Sequence, residues 1–141
     1  MLERDGYELS DDPDRIDLPL VHRWLATDAY WALGRPLDTM RAAVAGSEPF
    51  GIYRDGRQVA IARVITDGAL FGYLCDVYVD PAHRGRGLGS WLVRHIRDHY
   101  ASRGLNRLLL VTLDAHTVYT PHGFAEVAPG RWMECDLRVV S

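Results

Sequence analysis

Val77-Tyr78-Val79-Asp80-Pro81-Ala82-His83-Arg84-Gly85-Arg86-Gly87-Leu88-Gly89-Ser90 is the stretch whose reading decides the fold. An apolar alternating run ends at Pro81, a turn rich in Gly and Arg follows, and a helical pattern begins at Leu88. Strand, loop and helix N-terminus in succession leave backbone N–H groups unpaired, where the helix dipole adds partial positive charge. That combination suits a phosphate. Three glycines let the backbone approach an anion and take positive φ, and Arg84 and Arg86 add charge around it.

Two common phosphate loops fit badly. The nucleotide-triphosphate loop needs Gly-Lys-Ser/Thr after four residues, and no lysine follows these glycines. The dinucleotide fingerprint needs Gly-x-Gly-x-x-Gly, and the spacing here is Gly85-x-Gly87-x-Gly89. Arg84-Gly85-Arg86-Gly87-Leu88-Gly89 does fit Gln/Arg-x-x-Gly-x-Gly/Ala. It resembles the coenzyme A pyrophosphate loop of the GCN5-related N-acetyltransferases (the GNAT superfamily). The strand Val77–Val79, Pro81, and the downstream Tyr119-Thr120-Pro121-His122-Gly123-Phe124 look like the same family, in its order and separation. The resemblance covers essentially the whole chain and is strongest from about Leu70 to Phe124.

The resemblance implies an α/β (α+β) fold: a mixed, mostly antiparallel sheet with helices on both sides, in one domain over residues 1–141. It implies acyl transfer from acetyl-CoA to an amine acceptor, with no metal. The amides of Gly85, Arg86, Gly87, Leu88, Gly89 and Ser90 would hold the pyrophosphate, flanked by Arg84. The pantetheine arm would pair with the backbone of Val77 and Val79. The Val77 N–H is the family's candidate oxyanion donor, and Tyr119 stands at its general-acid position. A phenol with a usual pKa of ~10 is protonated at neutral pH and can donate to a departing thiolate. The family often has Asn seven residues before that tyrosine. Here Thr112 stands there, and a hydroxyl replaces part of an amide's hydrogen bonding but not its geometry.

The general base is open among Asp76, Asp114, His116 and a water chain. Each side chain also has a plain reading: Asp76 as an arginine's partner, Asp114 as a helix cap, His116 as an exposed helix residue. The acceptor pocket is expected to draw on the early helices, where Tyr30 and Trp31 are adjacent. Aromatic walls can hold an amine by cation–π contact, and either ring can equally pack in the core. The alternative to catalysis is an acyl-CoA-binding sensor or interaction domain without turnover. A homodimer is among the family's habits, and no stretch identifies an interface.

Outward from the loop, the composition is that of an ordinary globular domain: 141 residues, 48% hydrophobic, 25% charged, formal net charge -3. The charge argues against nucleic acid as the main partner. No apolar run reaches membrane-spanning length, and the N-terminus lacks a signal-peptide core. Two cysteines, Cys75 and Cys135, make a disulfide framework unlikely on count, and a reducing cytoplasm is the simplest reading.

The patterns predict an edge strand at Tyr7–Leu9, a helix from Leu18 to Ala26 capped by Asp17, and a second helix starting at Pro36 and ending at Gly46. Strands follow at 50–53 and 59–65 around an Asp55-Gly56 turn, then at 70–79, with Cys75-Asp76 breaking the pattern as a bulge would. Leu88, Leu92, Ile96 and Tyr100 share one helix face. Leu108–Val111 reads as a strand covered on both faces. A short helix over Ala115–His122 and closing strands at Phe124–Val127 and Trp132–Val139 complete the order.

Overall fold

The protein is described by a computed structural model over residues 1–138. A hairpin opens the chain, β1 (Leu2–Arg4) and β2 (Tyr7–Ser10), followed by helices α1 (Leu18–Asp28) and α2 (Leu37–Ala45). Strands β3 (Glu48–Arg54), β4 (Arg57–Thr66) and β5 (Phe71–Val79) form a meander. Helix α3 (Leu88–Ser102), strand β6 (Arg107–Leu109) and the single turn α4 (His116–Tyr119) follow. The six strands lie in sequence order in one sheet, antiparallel throughout except for the parallel pair β5–β6.

The sheet separates two apolar layers. On one face α3 buries Leu88, Trp91, Leu92, Ile96 and Tyr100 against Leu9, Phe50, Ile52, Ala62 and Leu74. On the other, α1 and α2 bury Val21, Trp24, Leu25 and Met40 against Ile61 and Tyr78. The local signals set the helix ends. Asp17 Oδ1 accepts the Leu20 N–H at 3.2 Å, Pro36 precedes α2, and Gly46 ends it.

A bulge in β5 feeds both layers. Ile61 faces Tyr78 and Arg63 faces Cys75, so two steps on β4 match three on β5. Asp76 carries the strain of the extra residue, with φ 53°. Strand side chains alternate between faces, so one added residue reverses the order downstream. Leu74 therefore packs under α3, whereas Tyr78 packs under α1 and α2, and Val77 and Val79 join the α3 side.

Three expectations are corrected. The edge strand at Tyr7–Leu9 is the second arm of a hairpin, turned by Asp5-Gly6 at φ 53° and 82°. The 108–111 strand is shorter and half-buried, not covered on both faces, because β6 leaves the sheet after Leu109 and Val111 is 75% exposed. No strand forms among described residues 124–138. Without a ladder beyond Leu109 they have no strand to pair with, and Met133 and Leu137 stay exposed. Val139 lies outside the described residues.

Candidate active site

The loop after β5 is braced before it is charged. Asp80 Oδ1 accepts the Ala82 N–H, and its own N–H donates to Val59 C=O at 2.8 Å. Gly85 and Gly87 take φ 79° and 75°, in the left-handed region that an L side chain resists. The first intrahelical bond of α3 runs from Trp91 N–H to Gly87 C=O at 3.0 Å. Among the described residues, no acceptor takes the N–H groups of Gly85, Arg86, Gly87, Leu88, Gly89 or Ser90. Six consecutive donors thus stand at the N-terminus of a 15-residue helix.

Gly89 differs from the other two glycines. A Cβ there would meet nothing nearer than Val79 Cγ2 at 3.7 Å, and its φ is not left-handed. The chain itself does not demand glycine at that position.

The arginines divide their work. Arg84 Nε donates to Val79 C=O at 2.9 Å, and its NH2 lies 3.5 Å from Asp28. Arg84 therefore braces the loop, and the Val79 carbonyl already has one donor. Arg86 donates to the Tyr7 hydroxyl at 3.0 Å, and that hydroxyl also bonds His83 Nδ1 at 2.9 Å. Arg4, on the opening hairpin, lies over the Trp91 ring and comes within 3.1 Å of a Cβ built on Gly87. Its position followed from no local pattern, since the hairpin brings it there from the far end of the sheet.

Strands β5 and β6 pair only as far as Tyr73 and Leu109, then diverge. From Leu74 to Val79, β5 keeps β4 on one side and has no strand on the other. Asp76 and Val77 have no register partner on β4 either. A strand edge of this kind offers main-chain donors and acceptors to an extended ligand.

Asp76 is buried and faces the α1–α2 layer. Its Oδ2 accepts from Arg63 Nε at 2.6 Å and Arg35 NH1 at 2.9 Å, and its Oδ1 accepts from Trp31 Nε1 at 2.9 Å. Burial alone would raise its pKa. The hydrogen bonds and charges of Arg63 and Arg35 outweigh that and hold the carboxyl below the usual carboxylate range. Both oxygens are engaged and the group is weakly basic, so the arginine-partner reading of Asp76 fits this geometry and a proton-accepting role does not. The link 29–36 is shaped for these contacts. Ala29 and Ala32 are buried, Gly34 N–H donates to Ala26 C=O at 2.9 Å, and His22 Nε2 donates to Arg35 C=O at 2.8 Å.

Tyr30 and Trp31 meet edge to face, with ring centroids 5.0 Å apart, and are 49% and 42% exposed. They are therefore not core residues, and the indole is anchored by its N–H. Tyr119 sits at the end of α4, edge to face with Phe124 at 5.9 Å, and packs on the α3-side core. Burial raises its phenol above the ordinary value, and the neighbouring Tyr30 and Asp114 raise it further. It remains protonated at neutral pH. Asp114 does not cap α4, which has no side-chain cap. The Ala115 N–H donates instead to Thr112 Oγ1 at 3.0 Å. Thr112 is thus engaged in its own turn. His116 lies 3.7 Å from Glu126 and is half exposed. A cleft of about 480 Å³ between α2, β3 and α3 is remote from all of these residues, whereas one of about 810 Å³ beside β6 is lined by Thr112, His116 and Tyr119.

His122 was not singled out by the sequence, although it lies inside the quoted Tyr-to-Phe segment. It is buried, and its Nε2 bonds Ser90 Oγ at 2.8 Å, while Arg97 donates to its carbonyl at 3.2 Å. Burial and then the charges of Arg97 and Arg94 lower its pKa. A neutral imidazole therefore ties the Tyr119 segment to the first turn of α3. No group of three or more metal-ligating side chains exists among the described residues.

A sequence model of the Acetyltransferase (GNAT) family matches residues 18–124. This chain belongs to that family. A Gibberella zeae protein that carries an acetyltransferase name is 33% identical over 133 residues, covering 79% of this chain and 74% of that protein. The crystal structure of a GNAT-family protein from Xanthomonas campestris pv. campestris superposes with a TM-score of 0.88 at 42% identity, covering 93% of each chain. A Mycobacterium tuberculosis protein solved in complex with CoA shares the fold, with a TM-score of 0.70 at 22% identity over 86% of this chain and 73% of that one. The GNAT chain described here is an acetyl-CoA-dependent acyltransferase. Among its described residues, no helix is long and apolar enough to cross a membrane.

Proposed function

We propose that this protein transfers the acetyl group of acetyl-CoA to a primary amine of a small molecule or an exposed protein amine, by direct attack in a ternary complex. The pyrophosphate binds the six amides from Gly85 to Ser90, and the pantetheine arm lies along the unpaired edge of β5 at Val77 and Val79. The CoA complex of the Mycobacterium tuberculosis relative supports this carrier. One observation carries the reading. Six main-chain donors from Gly85 to Ser90, without an acceptor among the described residues, stand at the N-terminus of α3, directly after a β5 edge that has no strand beside it from Leu74 to Val79.

In the reaction, the amine nitrogen attacks the thioester carbonyl and the carbonyl oxygen takes up negative charge. The Val77 N–H stabilises that oxygen. The carbonyl re-forms as the C–S bond breaks, Tyr119 gives its proton to the thiolate, and the surplus proton on the newly bonded nitrogen passes through water to restore the phenol. With Asp76 occupied, the proton of the incoming ammonium leaves to Asp114 or to water, and His116 and Tyr30 line the acceptor's approach.

Tyr119→Phe tests the assignment. Removing a general acid costs about 10²–10⁴-fold in rate, so kcat falls by that order while acetyl-CoA binding is kept. The wild-type rate also declines on the alkaline side only above the usual phenol value of ~10, because the phenol acts when protonated and its pKa is raised. Full turnover by the variant at every pH would remove Tyr119 from the mechanism.

A further inference from the structure

Asp76 stands immediately before the residue whose N–H the reaction uses, in a backbone conformation that non-glycine residues seldom take. Its side chain is 1% exposed and receives three donors from two separate elements: Arg63 of β4, and Trp31 and Arg35 of the α1–α2 link. We infer that the Asp76 carboxylate is a positioning residue, clamping the Trp31–Arg35 segment onto the β5 bulge and so fixing the aim of the Val77 N–H.

The argument is geometric. A bulge is the place in a ladder where the neighbouring strand stops dictating orientation, and neither Asp76 nor Val77 has a partner on β4. Some other contact must then choose the peptide orientation. The carboxylate does so, because its two oxygens are held at 2.6–2.9 Å by groups that are themselves fixed. Arg63 is buried in the sheet, and Arg35 is held through its own carbonyl by His22. Trp31 is the external member, part exposed and edge to face with Tyr30. Whatever displaces the Tyr30–Trp31 pair pulls on the bulge through one hydrogen bond. The cluster also sets two guanidinium groups against one carboxylate, so among the described residues it leaves net positive charge beside Val77, of the sign that favours an oxyanion. The kinetic half of this inference rests on the acetyl-transfer reading above. The clamp itself does not.

Asp76→Asn would leave two buried guanidiniums facing an amide and risks the fold, so the test uses the outer members. Trp31→Phe keeps a ring and removes the donor. Arg35→Lys keeps the charge and removes the planar fork. In both, the folded protein should bind acetyl-CoA as the wild type does, with KM for acetyl-CoA and amine unchanged and kcat about 10-fold lower or more. The backbone amide NMR resonance of Val77 should move in both variants, and further than those of Leu74 and Val79. A raised amine KM at unchanged kcat would make Trp31 an acceptor wall and overturn the clamp. A lower melting temperature with kcat and the Val77 resonance unchanged would overturn it as well. If the wild-type protein acetylates no amine, the functional reading fails, and the Val77 resonance alone decides the clamp.

Discussion

The two faces of β5 are built by different means. On the α3 face, the loop from Arg84 to Ser90 offers main-chain amides from Gly85 on, and its arginines brace it: Arg84 on Val79, Arg86 on Tyr7. On the α1–α2 face, the work falls to side chains gathered from distant parts of the chain around one buried carboxylate. A backbone site tolerates exchange of side chains but not of backbone conformation. A side-chain cluster behaves in the opposite way. The difference predicts which substitutions each face forgives.

The largest effect belongs to the side-chain face. Asp76→Ala leaves Arg63 and Arg35 together without their counter-charge, and removing one partner of a buried pair typically costs about 3–5 kcal/mol. Denaturant unfolding should show that loss. The same contact sets a pH dependence. The folded pKa of Asp76 is depressed, so its contribution is complete above the ordinary carboxylate value of ~4 and fades as pH falls through the lower folded value. Wild type should lose stability across that acid range and Asp76→Ala should lose less. Equal acid sensitivity would place the charge coupling elsewhere.

The loop should break differently. Gly87→Glu forces a side chain into a left-handed position next to Arg4 and puts a carboxylate among the amides. Acetyl-CoA at about 100 times its dissociation constant should stabilise the wild type by roughly 2.7 kcal/mol, and the variant should show none of that shift. If the shift survives, the coenzyme does not sit on this loop. The smallest effect sharpens the contrast within the loop itself. At Gly89 a methyl group meets ordinary contact and no strain, so Gly89→Ala should raise the stability of the unliganded protein by about 0.4–1 kcal/mol. Acetyl-CoA binding should survive that change. A loss of binding there would mean that the ligand lies closer to the helix end than its amides require.

The same contrast explains what could be read in advance. The loop was legible because everything it needs is local: glycines at fixed spacing, a strand before and a helix after. The bulge left a trace for a similar reason, a polar residue breaking an apolar run at Cys75-Asp76. Its partners left none, since Trp31 and Arg35 lie 45 and 41 positions away from Asp76 and each residue type fits several ordinary roles. His122 was hidden in plain sight, because only the fold brings it to Ser90. The closing strands were misread from alternating apolar residues around Phe124 and Trp132. Alternation says that a segment can join a sheet, while pairing depends on where β6 ends. The opening hairpin was half seen, for the three residues of β1 carry too little pattern to stand out beside Tyr7–Ser10.

The reversal of faces at Asp76 bears on how this strand can change over evolutionary time. Leu74 and Tyr78 are an even number of positions apart yet serve opposite layers, because one odd residue stands between them. Deleting one residue from Cys75 to Val77 would match two steps on β5 to two on β4 and restore strict alternation, so Tyr78 and Val79 would keep their layers while the bulge itself would be lost. Apolar exchanges at the same positions disturb one layer at most. The odd count across this segment therefore answers to the bulge and not to the core, which would pack as well on a strand one residue shorter.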